Sequence, residues 1–214
     1  MGFFSRFKKP DSGASARTPL KDIRTFFNDA ARNEEHFPST IDPRIYHVKV
    51  VLNHLGDLNG KRVADLGCGK GRFARLVKER SPGAQVVALD LAEAMLVHVP
   101  EGIHRAAATL TALPLATASC QGAYATESLE HAVDIETAVA ELCRIVKPGG
   151  RIVIIDKNKD AWGRLETPEW ERWFGRKQME KMLKKHCRRV SSKPISYWED
   201  VEPDGLFLAW LAEK

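Results

Sequence analysis

The stretch Val63-Ala64-Asp65-Leu66-Gly67-Cys68-Gly69-Lys70-Gly71-Arg72-Phe73-Ala74 constrains this chain more than any other. An apolar run closes on an acid, three glycines follow at alternate positions, and an amphipathic segment then begins. That order reads as a buried strand, a turn tight enough to need glycine, and the first turn of a helix. Without Cβ atoms at Gly67, Gly69 and Gly71, the backbone can take positive φ and a ligand can approach it closely. Asp65, at the strand's end, is placed to meet a cationic or hydrogen-bond-donating group held over the turn.

The spacing narrows the ligand. The dinucleotide fingerprint is G-x-G-x-x-G, whereas this turn is D-x-G-x-G-x-G, one residue shorter before the last glycine and led by an acid. It resembles motif I of the class I S-adenosylmethionine (SAM)-dependent methyltransferases, in which such a turn holds the amino-acid end of the cofactor. Gln85–Asp90 reads as a second buried parallel strand. Asp90 stands at its end, 25 residues after Asp65, the usual place for an acid that hydrogen-bonds the two ribose hydroxyls of an adenosine-containing cofactor. Leu91 is then next to the adenine, and Asp90 is also a candidate N-cap for a helix over 91–98.

Further strands are predicted at 103–107, 121–126 and 151–156, and a helix over Asp134–Val146 presents Ile135, Ala138, Val139, Leu142 and Ile145 on one side. Lys147-Pro148-Gly149-Gly150 stops that helix. The combined stretch LEHAVDIETAVAELCRIVKPGGRIVIID, residues 129–156, resembles the small-molecule branch that includes quinone-biosynthesis C-methyltransferases. The resemblance covers about residues 45–156. It implies an α/β fold: a Rossmann-like, doubly wound, seven-stranded, mostly parallel sheet with helices on both faces and an antiparallel last strand. It also implies SAM as cofactor, held by Asp65, Gly67, Cys68, Gly69, Gly71, Asp90, Leu91, Thr109, Leu110 and Glu127. Relatives typically carry an Asp where Thr109 stands, so the adenine amino group meets a neutral hydroxyl, generally a weaker partner than a carboxylate. On the acceptor side His131, at the end of the fourth strand, is the first choice as general base and Asp156 the second. No metal site and no nucleophilic elbow are indicated.

Outside the resemblance the readings rest on composition. Residues 1–19 form a basic leader, in which Phe3, Phe4 and Phe7 beside Arg6, Lys8 and Lys9 allow a weak contact of residues 1–9 with anionic lipid. Residues 20–214 then make one domain. Two helical segments fall within 20–56, separated by a break at His36-Phe37-Pro38-Ser39, and are read as a lid, with His36, Tyr46 and His47 as candidate pocket residues. Three Trp within 162–173 point either to an acceptor-side insertion over 157–175 or to a cluster capping the core. The basic run over 176–189 reads either as a solvated face with Met179, Met182 and Leu183 inward or as a surface for an acidic partner. Residues 190–198 and 205–211 supply the last two strands.

Four cysteines without a CxxC pair, no apolar run of membrane-spanning length, and a net charge of +5 suit a cytoplasmic protein, monomeric or homodimeric. The expected partner is a small-molecule methyl acceptor rather than a nucleic acid, since Glu127-Ser128-Leu129-Glu130 stands where nucleobase amino-methylating enzymes carry Asn/Asp-Pro-Pro-Tyr/Phe. The alternatives are a SAM- or RNA-binding module without turnover and another SAM-using transferase on the same scaffold.

Overall fold

The fold places the ends of five strands along one sheet edge. A computed structural model describes residues 18–214, so all of the leader except Thr18 and Pro19, including the lipid contact expected of residues 1–9, lies outside the described residues. The elements are α1 (Leu20–Ala30), α2 (Tyr46–Leu55), β1 (Arg62–Leu66), α3 (Arg72–Arg80), β2 (Gln85–Asp90), α4 (Glu93–Leu96), β3 (His104–Ala107), β4 (Cys120–Thr126), α5 (Ile135–Ile145), β5 (Val146–Lys157), α6 (Arg176–Lys184), β6 (Arg189–Ile195) and β7 (Phe207–Glu213). They build one seven-stranded sheet in the order β3-β2-β1-β4-β5-β7-β6. All ladders are parallel except those of β7, which runs antiparallel to both β5 and β6. The expected fold class holds.

The central strands carry almost uninterrupted apolar residues because helices cover both faces. Alternation still sorts the side chains. Ala64, Leu66, Ile152 and Ile154 face α5 and α6, packing with Leu142, Ile145, Met179 and Leu183. Val63, Val153 and Ile155 face the other way, onto Val48, Val51 and Leu55 of α2 and Phe73 and Val77 of α3. The order of strands reverses between β1 and β4, and the register sets Leu66 beside Leu89 and Ala125. Crevices of this kind, outside the carboxyl ends of the strands at the reversal, are where open α/β sheets bind ligands.

Several expectations change. The helix expected over 91–98 is a single turn, Glu93–Leu96, capped by Ala92 without a side-chain bond; Asp90 is not its cap. β5 starts at Val146, directly after α5, with an irregularity against β4 between Cys120 and Gly122. Of the two lid helices only α1 covers the crevice. α2 is a core helix, its Val48, Val50, Val51 and Leu55 buried. α6 packs Met179, Met182 and Leu183 inward, while Lys184 and Lys185 pair with Glu180 and Glu136 at its surface, as the solvated-face reading requires. No helix among the described residues is long and apolar enough to cross a membrane.

Candidate cofactor and acceptor site

A cavity of about 490 Å³ opens at the strand ends, within the size range of small-molecule sites. One half is made largely from backbone. The N–H groups of Gly67 and Cys68 donate to Leu89 O at 2.8 and 3.0 Å, pinning the turn to β2. Gly69 N–H donates to Asp90 Oδ2 at 2.8 Å and Ala92 N–H to Oδ1 at 2.9 Å. Asp90 thus ties the turn to the next chain segment and retains acceptor lone pairs on both oxygens.

Glycine is required at two of these positions for different reasons. Gly67 has φ +68°, and a Cβ there would stand 2.3 Å from Ser128 Cβ. The tip of β4 crosses that closely because Ser128 Oγ donates to Leu66 O at 2.8 Å. Gly69 has φ +53°, and a Cβ would meet nothing within 4 Å, so the turn leaves open space before it. Gly71, at φ +78°, faces Val99 and Pro100 and lies behind the wall.

Asp65 does not line the cavity. It is 1% exposed, and its Oδ2 has no hydrogen-bond partner. Burial pushes its carboxyl up to about 7; Tyr124 pulls the other way and Asp90 adds to the rise. A buried acid with a spare oxygen under an open glycine turn, next to Asp90, fits a ligand with a cationic end and a pair of hydroxyls. Leu91, Thr109 and Leu110 complete this half. The Thr109 and Thr111 hydroxyls are 3.0 Å apart.

Glu127 closes β4 at φ +51°, a left-handed conformation that is uncommon outside glycine. Its N–H donates to Ile155 O at 2.7 Å, and Arg72 approaches its Oε1 at 3.5 Å. His47, one of the three expected pocket residues, is instead sealed in the core with no hydrogen bond to either ring nitrogen, its Nδ1 4.0 Å from Glu127 Oε1, and burial lowers its pKa. Tyr46 accepts from Lys193 Nζ at 2.7 Å, away from the cavity. His36 does line it.

The other half is made from side chains of irregular segments. Phe26 and Phe27 of α1, with His36, Phe37 and Pro38, form one wall. Glu130, His131, Lys157 and Glu171 form the opposite one. Lys157 Nζ is 2.5 Å from Glu130 Oε1 and 3.0 Å from Glu171 Oε1, and Trp173 Nε1 donates to Glu171 Oε1 at 2.6 Å. Burial pulls the Lys157 ammonium down, but these carboxylates outweigh it and hold the pKa above its ordinary value. Burial, reinforced by Asp156, pushes Glu130 well up. His131 Nε2 lies 3.6 Å from Glu130 Oε1 and its Nδ1 4.0 Å from Glu171 Oε2, both longer than a charge-assisted hydrogen bond. Phe27 packs edge-on against the imidazole, 4.9 Å between centroids.

Asp156, the second expected base, is fully buried and does not line the cavity. It accepts from Glu130 N at 3.1 Å and Lys157 N at 2.9 Å, orienting the wall from beneath. In the Trp-rich segment, Leu165, Glu166, Thr167, Pro168 and Glu171 line the cavity, but Trp162 and Trp173 pack on each other, 5.1 Å between centroids. Both readings of that segment therefore describe part of it. One contact joins the lid to the glycine turn: Lys70 Nζ, buried, meets Glu34 Oε2 at 2.5 Å. Glu34 also accepts from Ser39, and the Lys70 hydrogen bond leads the causes that lower it to about 2.

Of the residues expected to hold cofactor or act as base, Gly67, Cys68, Gly69, Asp90, Leu91, Thr109, Leu110, Glu127 and His131 line the cavity, and Asp65, Gly71 and Asp156 do not. Sequence reasoning missed Lys70, Glu130, Lys157 and Glu171. Glu130 adjoins His131 and Lys157 adjoins Asp156 in sequence, a local signal. Nothing local points to Glu171.

Residues 64–154 match the family described as Methyltransferase domain. A malonyl-[acyl-carrier protein] O-methyltransferase of Methylococcus capsulatus is 31% identical over 151 residues, covering 67% of this chain and 54% of that protein. A ubiquinone biosynthesis O-methyltransferase of Idiomarina loihiensis is 34% identical over 122 residues, 52% of this chain and 49% of that protein. The chain thus spans about half the length of the curated relatives it matches. Among solved structures, the [4+2]-cyclase SpnF superposes with a TM-score of 0.77 at 15% identity, over 95% of this chain and 99% of that one, a likeness of fold.

Proposed function

We propose that this chain, a class I SAM-dependent methyltransferase by its central domain, transfers a methyl group from SAM to a small-molecule acceptor. The observation that carries this reading is the Asp90 clamp on Gly69, placed at the reversal of strand order and sharing one cavity with the Glu130–His131 wall. When bound, SAM supplies a sulfonium-activated methyl group. Asp90 would accept from the ribose hydroxyls, the glycine turn would hold the amino-acid end, and Leu91, Leu110 and Thr109 would hold the adenine. His131, which lines the cavity and whose ring closes no hydrogen bond with Glu130 or Glu171, takes the acceptor's proton. α1 and the residues following it keep water out, and catalysis rests on positioning and desolvation. The relatives are named for malonyl-[acyl-carrier protein] and for ubiquinone biosynthesis; the present acceptor is a molecule small enough to share the cavity of about 490 Å³ with the cofactor.

Calorimetric titration with SAM, followed by turnover against a metabolite extract with mass spectrometry for products heavier by one methylene, tests this. Saturable SAM binding and a methylated product are expected. Undetectable binding at millimolar SAM overturns the proposal. Binding without any product, together with salt-sensitive RNA retention, would favour the binding-module alternative.

A further inference from the structure

Resting on the methyltransferase reading, we infer that the acceptor carries an ammonium group on an apolar body, and that the Glu130–His131–Glu171 wall is its recognition site. The wall has a gap of matching chemistry. Its ligand atoms, one each from Glu130, His131 and Glu171, lie within 4.8 Å of one another. The imidazole stands 3.6 and 4.0 Å from the two carboxylates and closes neither contact, and Glu171, in a side chain 3% exposed, gives Oε1 to Lys157 and Trp173 and keeps Oε2 without a hydrogen bond. A group that presents several N–H donors from one centre would satisfy all three at once.

The charge balance selects a cation for that gap. Three carboxyls meet here, Glu130, Asp156 and Glu171, against one ammonium, Lys157. With one proton shared between Glu130 and Asp156 and a neutral His131 imidazole, the cluster keeps one negative charge in excess. Lys157 is already engaged by two carboxylates and stands 5.8 Å from the Trp173 ring centroid, so it offers little to an anionic acceptor. A carboxylate-bearing acceptor would be desolvated against like charge. An ammonium would replace its water with carboxylate oxygens and the nearby Phe27 ring, which favours a cation. A divalent ion suits the same donors less well, because the Lys157 ammonium lies within 3.0 Å of both carboxylates and repels a double charge more strongly. The facing wall of Ile23, Phe26, Phe27 and Phe37 takes an aryl or alkyl body.

Three shape-matched probes test this on the full chain in the presence of S-adenosylhomocysteine: 2-phenylethylamine, 2-phenylethanol and 3-phenylpropionate, each titrated by calorimetry, with magnesium chloride alone as a fourth titrant. The amine is expected to bind at least about tenfold tighter than the alcohol or the carboxylate. Glu171→Gln, which keeps an oxygen for Lys157 and Trp173, is expected to erase that preference while leaving SAM affinity as in the parent. An alcohol or carboxylate that binds as tightly as the amine, or no measurable preference in the parent, overturns the inference without reference to any variant. So does magnesium binding that abolishes amine binding. Because SAM is titrated in parallel, absence of SAM binding marks failure of the methyltransferase reading, and normal SAM binding with the wrong probe order marks failure of this inference alone.

Discussion

The two halves of the cavity are built on different principles. The cofactor half is made of strand ends and a glycine turn, with Gly67, Cys68 and Gly69 held to β2 by three hydrogen bonds of 2.8 to 3.0 Å. The acceptor half is made of side chains from α1, the turn Leu129–His131 and the segment after β5, joined by ion pairs and ring contacts. In the first, backbone geometry shapes the cavity, and a Cβ at Gly67 would collide with Ser128. In the second, side chains on connecting segments do it, and the scaffold tolerates change there. A fold of this type thus keeps its cofactor while its acceptor varies.

That contrast is open to attack at several points, beginning with the largest effect. Gly67→Ala combines a left-handed backbone with a Cβ 2.3 Å from Ser128; it should cost about 2–5 kcal/mol of folding stability in urea denaturation. Gly69→Ala, with the same backbone region but open space, should cost about 1–2 kcal/mol. Equal losses would mean that the β4 crossing does not constrain the turn.

In the acceptor half, His131→Gln should lower kcat about 100-fold in a SAM-saturated assay with the cognate acceptor, and leave the SAM Kd nearly unchanged. Asp90→Ala should do the reverse, raising the SAM Kd about 30-fold by calorimetry. A shift in SAM affinity as large in the His131 variant as in the Asp90 variant would erase the division between the halves.

Asp65 gives the cofactor half a pH signature. Its carboxyl sits at about 7 in the fold against 3.8 ordinarily, so between those values the folded state holds the extra proton. The stability from this group is present below about pH 4 and declines as pH rises through 7. Urea denaturation across that window should show a falling trend that is shallower in Asp65→Asn. Last, the Lys70–Glu34 contact links lid to turn, and its carboxylate is exposed. Glu34→Gln should speed SAM association and dissociation together in stopped-flow traces, with Kd changed less than about threefold, since exposed pairs contribute little.

The same contrast explains what was legible in the sequence. Glycine spacing and an acid at the end of an apolar run are local signals of a backbone-built turn, and Gly67, Gly69 and Asp90, which carry them, all line the cavity. Spacing gives no orientation, however. Asp65 ends its strand as expected, but its side chain turns inward, and Asp156 lies beneath Glu130 rather than beside the acceptor. Strand register, a long-range property, decides both. The acceptor wall draws on residues 20–38, 130–131 and 157–171, which meet only after the sheet forms. Glu171 in particular looks like one more charge in a Trp-rich segment until Lys157 and Trp173 are seen to converge on it. The apolar face of α2 suits a cover as well as a core, and the fold uses it in the core.

The position of β7 bears on how the chain is made. It is the last of the seven strands in chain order, yet it lies inside the sheet between β5 and β6. During synthesis β1 to β5 can pair as they emerge, but β6 has no neighbour until β7 arrives and slots between two waiting edges. Until then β5 presents an open apolar edge, the kind of surface that draws intermolecular pairing. A chain cut short between residues 196 and 206 would carry every residue that lines the cavity and still leave that edge of β5 uncovered.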